Sequence, residues 1–188
     1  MTSTMSTELE QGRSYVEKTH GGVTAAIKQL SEAQWTFKPA PDRWSIAEVV
    51  EHVVIVQELV LGPIAERLAN APLVENHDST TVDAIVLNQF PDRTRRFPAP
   101  ERVRPSGGWT PSAALDRLNA NCGRLIGHLE STPDLRQHTL ESQPLIAITG
   151  GAYRYLDGYE WFLAAAAHTE RHTRQILEVR ADPNFPTA

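Results

Sequence analysis

His168 and His172 are spaced four residues apart. On a helix this sets both imidazoles on one face, one turn apart, the arrangement by which a helix offers two nitrogens to one metal ion. The chain has seven histidines, so a pair at this spacing carries little weight alone. Its surroundings add weight. Trp161, Ala165, Ile176 and Val179 share that face, which should therefore point inward. Two buried imidazoles need partners, and a shared metal would serve both. His52 lies in another apolar run, beside Val49, Val53 and Val56, and is also directed at the core. One inward histidine is most often a hydrogen-bonded core residue. Three on two helices point to a common ion. Three neutral nitrogens with an open fourth position describe a catalytic-type zinc or nickel site.

Other residues could support such a site. Gln175, one turn past His172, could orient an imidazole from behind. Glu48, one turn before His52, could act as a base, although its place at a helix start explains it fully. His20 could donate to a ligand or touch substrate, but reads more simply as a core histidine. Glu51 and Glu170 should lie to the side of the stripe, in solvent. Cys122 reads as a small core residue. Arg93, Arg95, Arg96, Arg102 and Arg104 cluster in one connection and could meet an anion, with a solvated loop the simpler reading. His77, His128 and His138 follow no usable pattern.

Four helices must position these groups. The first spans roughly Thr7 to Leu30, with Gly21-Gly22 a place for a kink. The second starts at Ser45, where Ser45 and Glu48 form a capping box, and runs to about Asn70 with Pro63 able to bend it. The third starts at Thr110 or Ser112 and ends before Pro133. The fourth runs from near Asp157 to about Arg180. No strand is evident, so the expectation is an all-α four-helix bundle, one domain over 1–188. Residues 71–109 form a long proline-rich connection, with a short helix near Ser79 to Phe90.

Depth fixes the topology that a shared ion needs. His52 lies about 10 Å from its helix start, and the midpoint of His168 and His172 about 20 Å from the start and about 15 Å from the end of theirs. The levels agree best if the second and fourth helices are antiparallel. That requires the connection 71–109 to act as a crossover between the second and third helices, giving up-down-down-up order.

Composition narrows the setting. The chain has 188 residues and a net charge of −5, against the basic surplus of a nucleic-acid binder. Its single cysteine excludes an intramolecular disulfide framework. No apolar run is long enough to span a membrane, and no signal peptide is visible, so a soluble cytoplasmic protein is expected.

The stretch Trp44-Ser45-Ile46-Ala47-Glu48-Val49-Val50-Glu51-His52 resembles the entry to the second helix of DinB-like proteins. His168-Thr169-Glu170-Arg171-His172-Thr173-Arg174-Gln175-Ile176 resembles that family's fourth-helix motif H-x-x-R-H-x-x-Q-I. Phe97 to Pro105 is similar to the proline-rich crossover of one branch. The resemblance runs from about Leu9 to Val179. It implies a four-helix bundle, often a homodimer, with a divalent metal held by His52, His168 and His172. It also implies action on a small molecule, as a metal-dependent hydrolase or as an S-transferase using a low-molecular-weight thiol. The alternative is a non-catalytic stress-response or binding bundle with a structural or vestigial metal site.

Overall fold

The computed structural model describes residues 2–72 and 75–187. Its long helices are α1 (Thr2–Ile27), α3 (Ile46–Leu59), α6 (Pro111–Ser131) and α8 (Gly158–Arg180). Shorter ones are α2 (Glu32–Thr36), α4 (Ala65–Leu68), α5 (Ser79–Gln89) and α7 (Gln143–Thr149).

Local chemistry sets the helix starts. Ser45 Oγ accepts from Glu48 N–H at 3.2 Å while Ser45 N–H donates to Glu48 Oε2 at 2.8 Å, the expected box. Asp157 and Glu160 form the same reciprocal box at the start of α8. Thr110 caps α6 ahead of Pro111. Gly21-Gly22 does not break the helix, and α1 runs through both. Pro63 has a larger effect. It lacks an N–H and would crowd the carbonyl four residues back. The chain responds with a π-helical turn over Val60–Ile64, in which Ala65 N–H reaches Val60 O, before α4 resumes.

Two buried clusters mark the two ends of the bundle. One joins Val16 of α1, Leu61 and Leu68, Leu125 and Leu129 of α6, and the early residues of α8 from Tyr159. The other joins Val23 and Ala26, the start of α3 from Ile46, Ala114 and Leu118, and Ile176 and Val179. Hence α1 runs from the first cluster to the second, α3 and α6 both run back, and α8 returns. This is the up-down-down-up order, with 71–109 as the crossover.

The expectation of no strand is corrected. Thr139–Glu141 (β1) pairs antiparallel with Tyr155–Asp157 (β2), Leu140 opposite Leu156. Three residues are too few for an alternating pattern to stand out. α7 lies between them and stops at Gly150 and Gly151, whose φ values of 63° and 90° suit glycine. Among the described residues, no helix is long and apolar enough to cross a membrane.

Candidate metal centre

α3 and α8 bring three rings together in the end that holds Ile176. His52 Nε2 and His168 Nε2 are 3.1 Å apart. The ring centroids of His52, His168 and His172 are 4.3 to 4.9 Å from one another. One ligating atom from each lies within 4.8 Å of the others. Two nitrogens at about 2.0–2.1 Å from one tetrahedral zinc stand about 3.3 Å apart, so the spacing suits a shared ion. Trp44 covers the group, its ring 4.9 Å from His52 and stacked on His172 at 6.5 Å.

Hydrogen bonds set the ring orientations. His52 Nδ1 donates to the carbonyl of Val103 at 2.6 Å. A carbonyl only accepts, so this ring carries its hydrogen on Nδ1 and bares the Nε2 lone pair. His172 Nδ1 meets Gln175 Oε1 at 2.9 Å. His168 Nδ1 is buried without a hydrogen-bond partner. The bare Nε2 of His52 therefore faces a second imidazole nitrogen and calls for a proton or a cation between them.

Burial, then the proximity of the other rings, drives the pKa values of His168 and His172 well below the ordinary histidine range. Burial lowers His52 as well. All three are therefore held in the neutral form that can ligate. Among the described residues, the hydrogen-bond partners of these rings are a carbonyl oxygen, an amide oxygen and one another, with no carboxylate taking part.

The other candidates separate. Gln175 is at the site. Glu48 is engaged at its helix start and with Lys38 Nζ at 2.7 Å, with no bond to the rings. Its own capping box takes it away. His20 sits toward Asn119, its Nδ1 buried without a partner, and makes no ring contact with the three. Cys122 is half-buried against the core, and burial raises its thiol pKa, as suits a packing residue.

Two glutamates expected in solvent are not. Glu51 is 3% exposed and accepts from Ser106 N–H, Ser106 Oγ and Gly107 N–H at 2.7 to 2.9 Å. Glu170 is half-buried and accepts from the Tyr15 hydroxyl at 3.0 Å. Nor is the arginine-rich connection simply a solvated loop. Arg93 grips Glu178 through two bonds of 2.7 and 2.8 Å. Arg171 donates to the carbonyls of Asp92 and Arg95, and Arg174 to that of Pro91. The crossover is thus strapped across both ligand-bearing helices. The residues just before His52 and His172 do much of the strapping, and no local pattern announces such distant partners.

A second cluster was not foreseen. At the opposite end, His77 Nε2 lies 2.9 Å from both Glu160 oxygens and 3.7 Å from Asp157. Arg136 donates to Asp157 at 2.9 Å, and also to Asp83 and Glu8. Burial, then the Asp157 charge, pushes the Glu160 pKa up to about 9. Asp157 and Glu160 cap α8, and Asp157 meets a guanidinium, so the cluster reads as a buried polar network around the helix start.

Comparison with known proteins follows the same lines. A sequence model of the DinB superfamily matches residues 15–176. The uncharacterized protein YuaE of Bacillus subtilis (strain 168) is 23% identical over 155 residues, covering 82% of this chain and 88% of YuaE. YfiT from Bacillus subtilis is described as a probable metal-dependent hydrolase with an unusual four-helix bundle topology. Its structure superposes with a TM-score of 0.55 at 13% identity, covering 95% of this chain and 89% of YfiT.

Proposed function

The chain belongs to the DinB superfamily, and on that footing we propose that it is a metal-dependent enzyme whose mononuclear centre is His52, His168 and His172. The ion would be zinc or nickel, and the reaction hydrolysis of a small molecule or transfer of a low-molecular-weight thiol to it. One observation carries this reading. Nε2 atoms from two antiparallel helices face each other at 3.1 Å, with the rings kept neutral by burial. The description of YfiT supports the metal and the hydrolytic arm.

Bound there, such an ion supplies Lewis acidity and lowers the pKa of a ligated water or thiol toward neutrality. The protein's part is to fix the rings and limit solvent. Trp44 and the strapped crossover wall the group, and the Val103 carbonyl keeps His52 turned correctly. Activation of the nucleophile would come from ligation to the ion. We further propose a homodimer, in keeping with the sequence resemblance, and a cytoplasmic setting.

The test loads the purified chain with cobalt and adds a panel of thiols, then assays the zinc form with ester and amide substrates. We expect one ion per chain. A sulfur-to-cobalt charge-transfer band would select thiol transfer, and ester or amide turnover without it would select hydrolysis. A wild-type chain that takes up no more metal than His168→Ala would overturn the proposal.

A further inference from the structure

We propose that Arg93 is a positioning residue that determines, through Gln175, which nitrogen of His172 is free to bind an ion. This rests on the metal reading above for its purpose, but its geometry stands by itself. Gln175 Oε1 lies 3.0 Å from Arg93 Nη1 and 2.9 Å from His172 Nδ1.

A glutamine amide has an accepting end and a donating end of nearly the same shape, so it can face a neighbour either way round. A guanidinium can only donate. Arg93 therefore demands the oxygen. The same oxygen meets His172 Nδ1, which must then carry the hydrogen. A neutral imidazole has one N–H, so Nε2 of His172 is left with its lone pair. The reversed amide would point N–H groups at the guanidinium and at Nδ1. His172 would then hold its hydrogen on Nε2, the wrong tautomer for a ligand.

Arg93 is itself held in place. Its two bonds to Glu178 are bidentate, and Glu178 follows Gln175 by three residues on α8. Its side chain is 13% exposed. The crossover thus sets two of the three rings, His52 through the Val103 carbonyl and His172 through Arg93. A connecting segment becomes a determinant of ligand chemistry on helices it merely crosses.

The experiment is a double-mutant cycle with two readouts. Arg93→Met keeps much of the side chain's bulk and removes its donors. Long-range proton–nitrogen NMR on the metal-free protein at pH 8 reports the His172 tautomer. Competition with a chelating dye reports zinc affinity. Wild type should show the hydrogen on Nδ1. Arg93→Met should mix or reverse the tautomer and weaken zinc by roughly 10- to 100-fold. In a Gln175→Glu background the same change should cost little, because a carboxylate only accepts and enforces Nδ1–H unaided. An equal loss in both backgrounds would mean that Arg93 merely holds the crossover, and the proposal would fail. An unchanged tautomer in Arg93→Met would also overturn it. Should wild type bind no zinc, the metal reading fails, while the tautomer measurement still decides the role of Arg93.

Discussion

His168→Ala should weaken zinc binding by roughly 10²- to 10³-fold while leaving the metal-free fold nearly intact. Protein zinc sites of four ligands are worth about 10–16 kcal/mol near pH 7, or about 2.5–4 kcal/mol for each ligand. Removing one ligand from a set of three should cost at least that. The metal-free protein should tolerate the change because this ring contributes little to it. Its Nδ1 has no hydrogen-bond partner, and among the described residues its Nε2 has only His52 Nε2 as one. A buried ring nitrogen left without a partner costs about 1–3 kcal/mol, which offsets part of the packing lost with the ring. Chelator competition measures the first effect and thermal unfolding in chelator the second. His128→Ala is a control, since that ring stacks on Phe162 at the other end. Equal zinc affinity in wild type and His168→Ala would remove the site.

At the opposite end, Glu160→Gln should stabilise the protein at neutral pH and do nothing in acid. The Glu160 pKa is raised from 4.5 to about 9 by burial, with the charge of Asp157 adding to it. Unfolded, the carboxyl releases its proton near 4.5; folded, it keeps it until about 9. Between those values the folded state binds more protons, so stability falls as pH rises. At about 1.4 kcal/mol per pH unit, the loss by pH 7 is at most about 3 kcal/mol. Glutamine is neutral throughout and can still accept from Asp157 N–H, as Glu160 does at 2.7 Å. The variant should therefore melt about 6–12 °C higher at pH 7 and match wild type near pH 4.5. Urea unfolding across pH tests this. A difference independent of pH would show that the carboxyl is not the cause.

What the sequence disclosed depended on the range of the interaction. His168 and His172 were legible because a helix converts a spacing of four into a shared face. Ser45 and Glu48 were legible because a capping box is complete within four residues. Matching the depths of His52 and the pair even led to the antiparallel arrangement of their helices. Glu51 was misread because its partners, Ser106 and Gly107, are 55 and 56 residues away. Arg93 was misread for the same reason, its partner Gln175 being 82 residues off. The π-helical turn lay between. Pro63 announced a disturbance but not its form, which depends on how the carbonyls around it are satisfied.

The adjacency of α1 and α8 has a kinetic side. The first and last rods must meet before either end of the bundle is sealed, and His52 finds His168 across 116 residues of chain. Closing so large a loop costs entropy before any contact rewards it. On the proposed metal reading, zinc would therefore enter a finished receptacle rather than template the early chain. In stopped-flow experiments it should leave the refolding rate unchanged and slow unfolding instead, and acceleration of refolding by zinc would contradict that order of events.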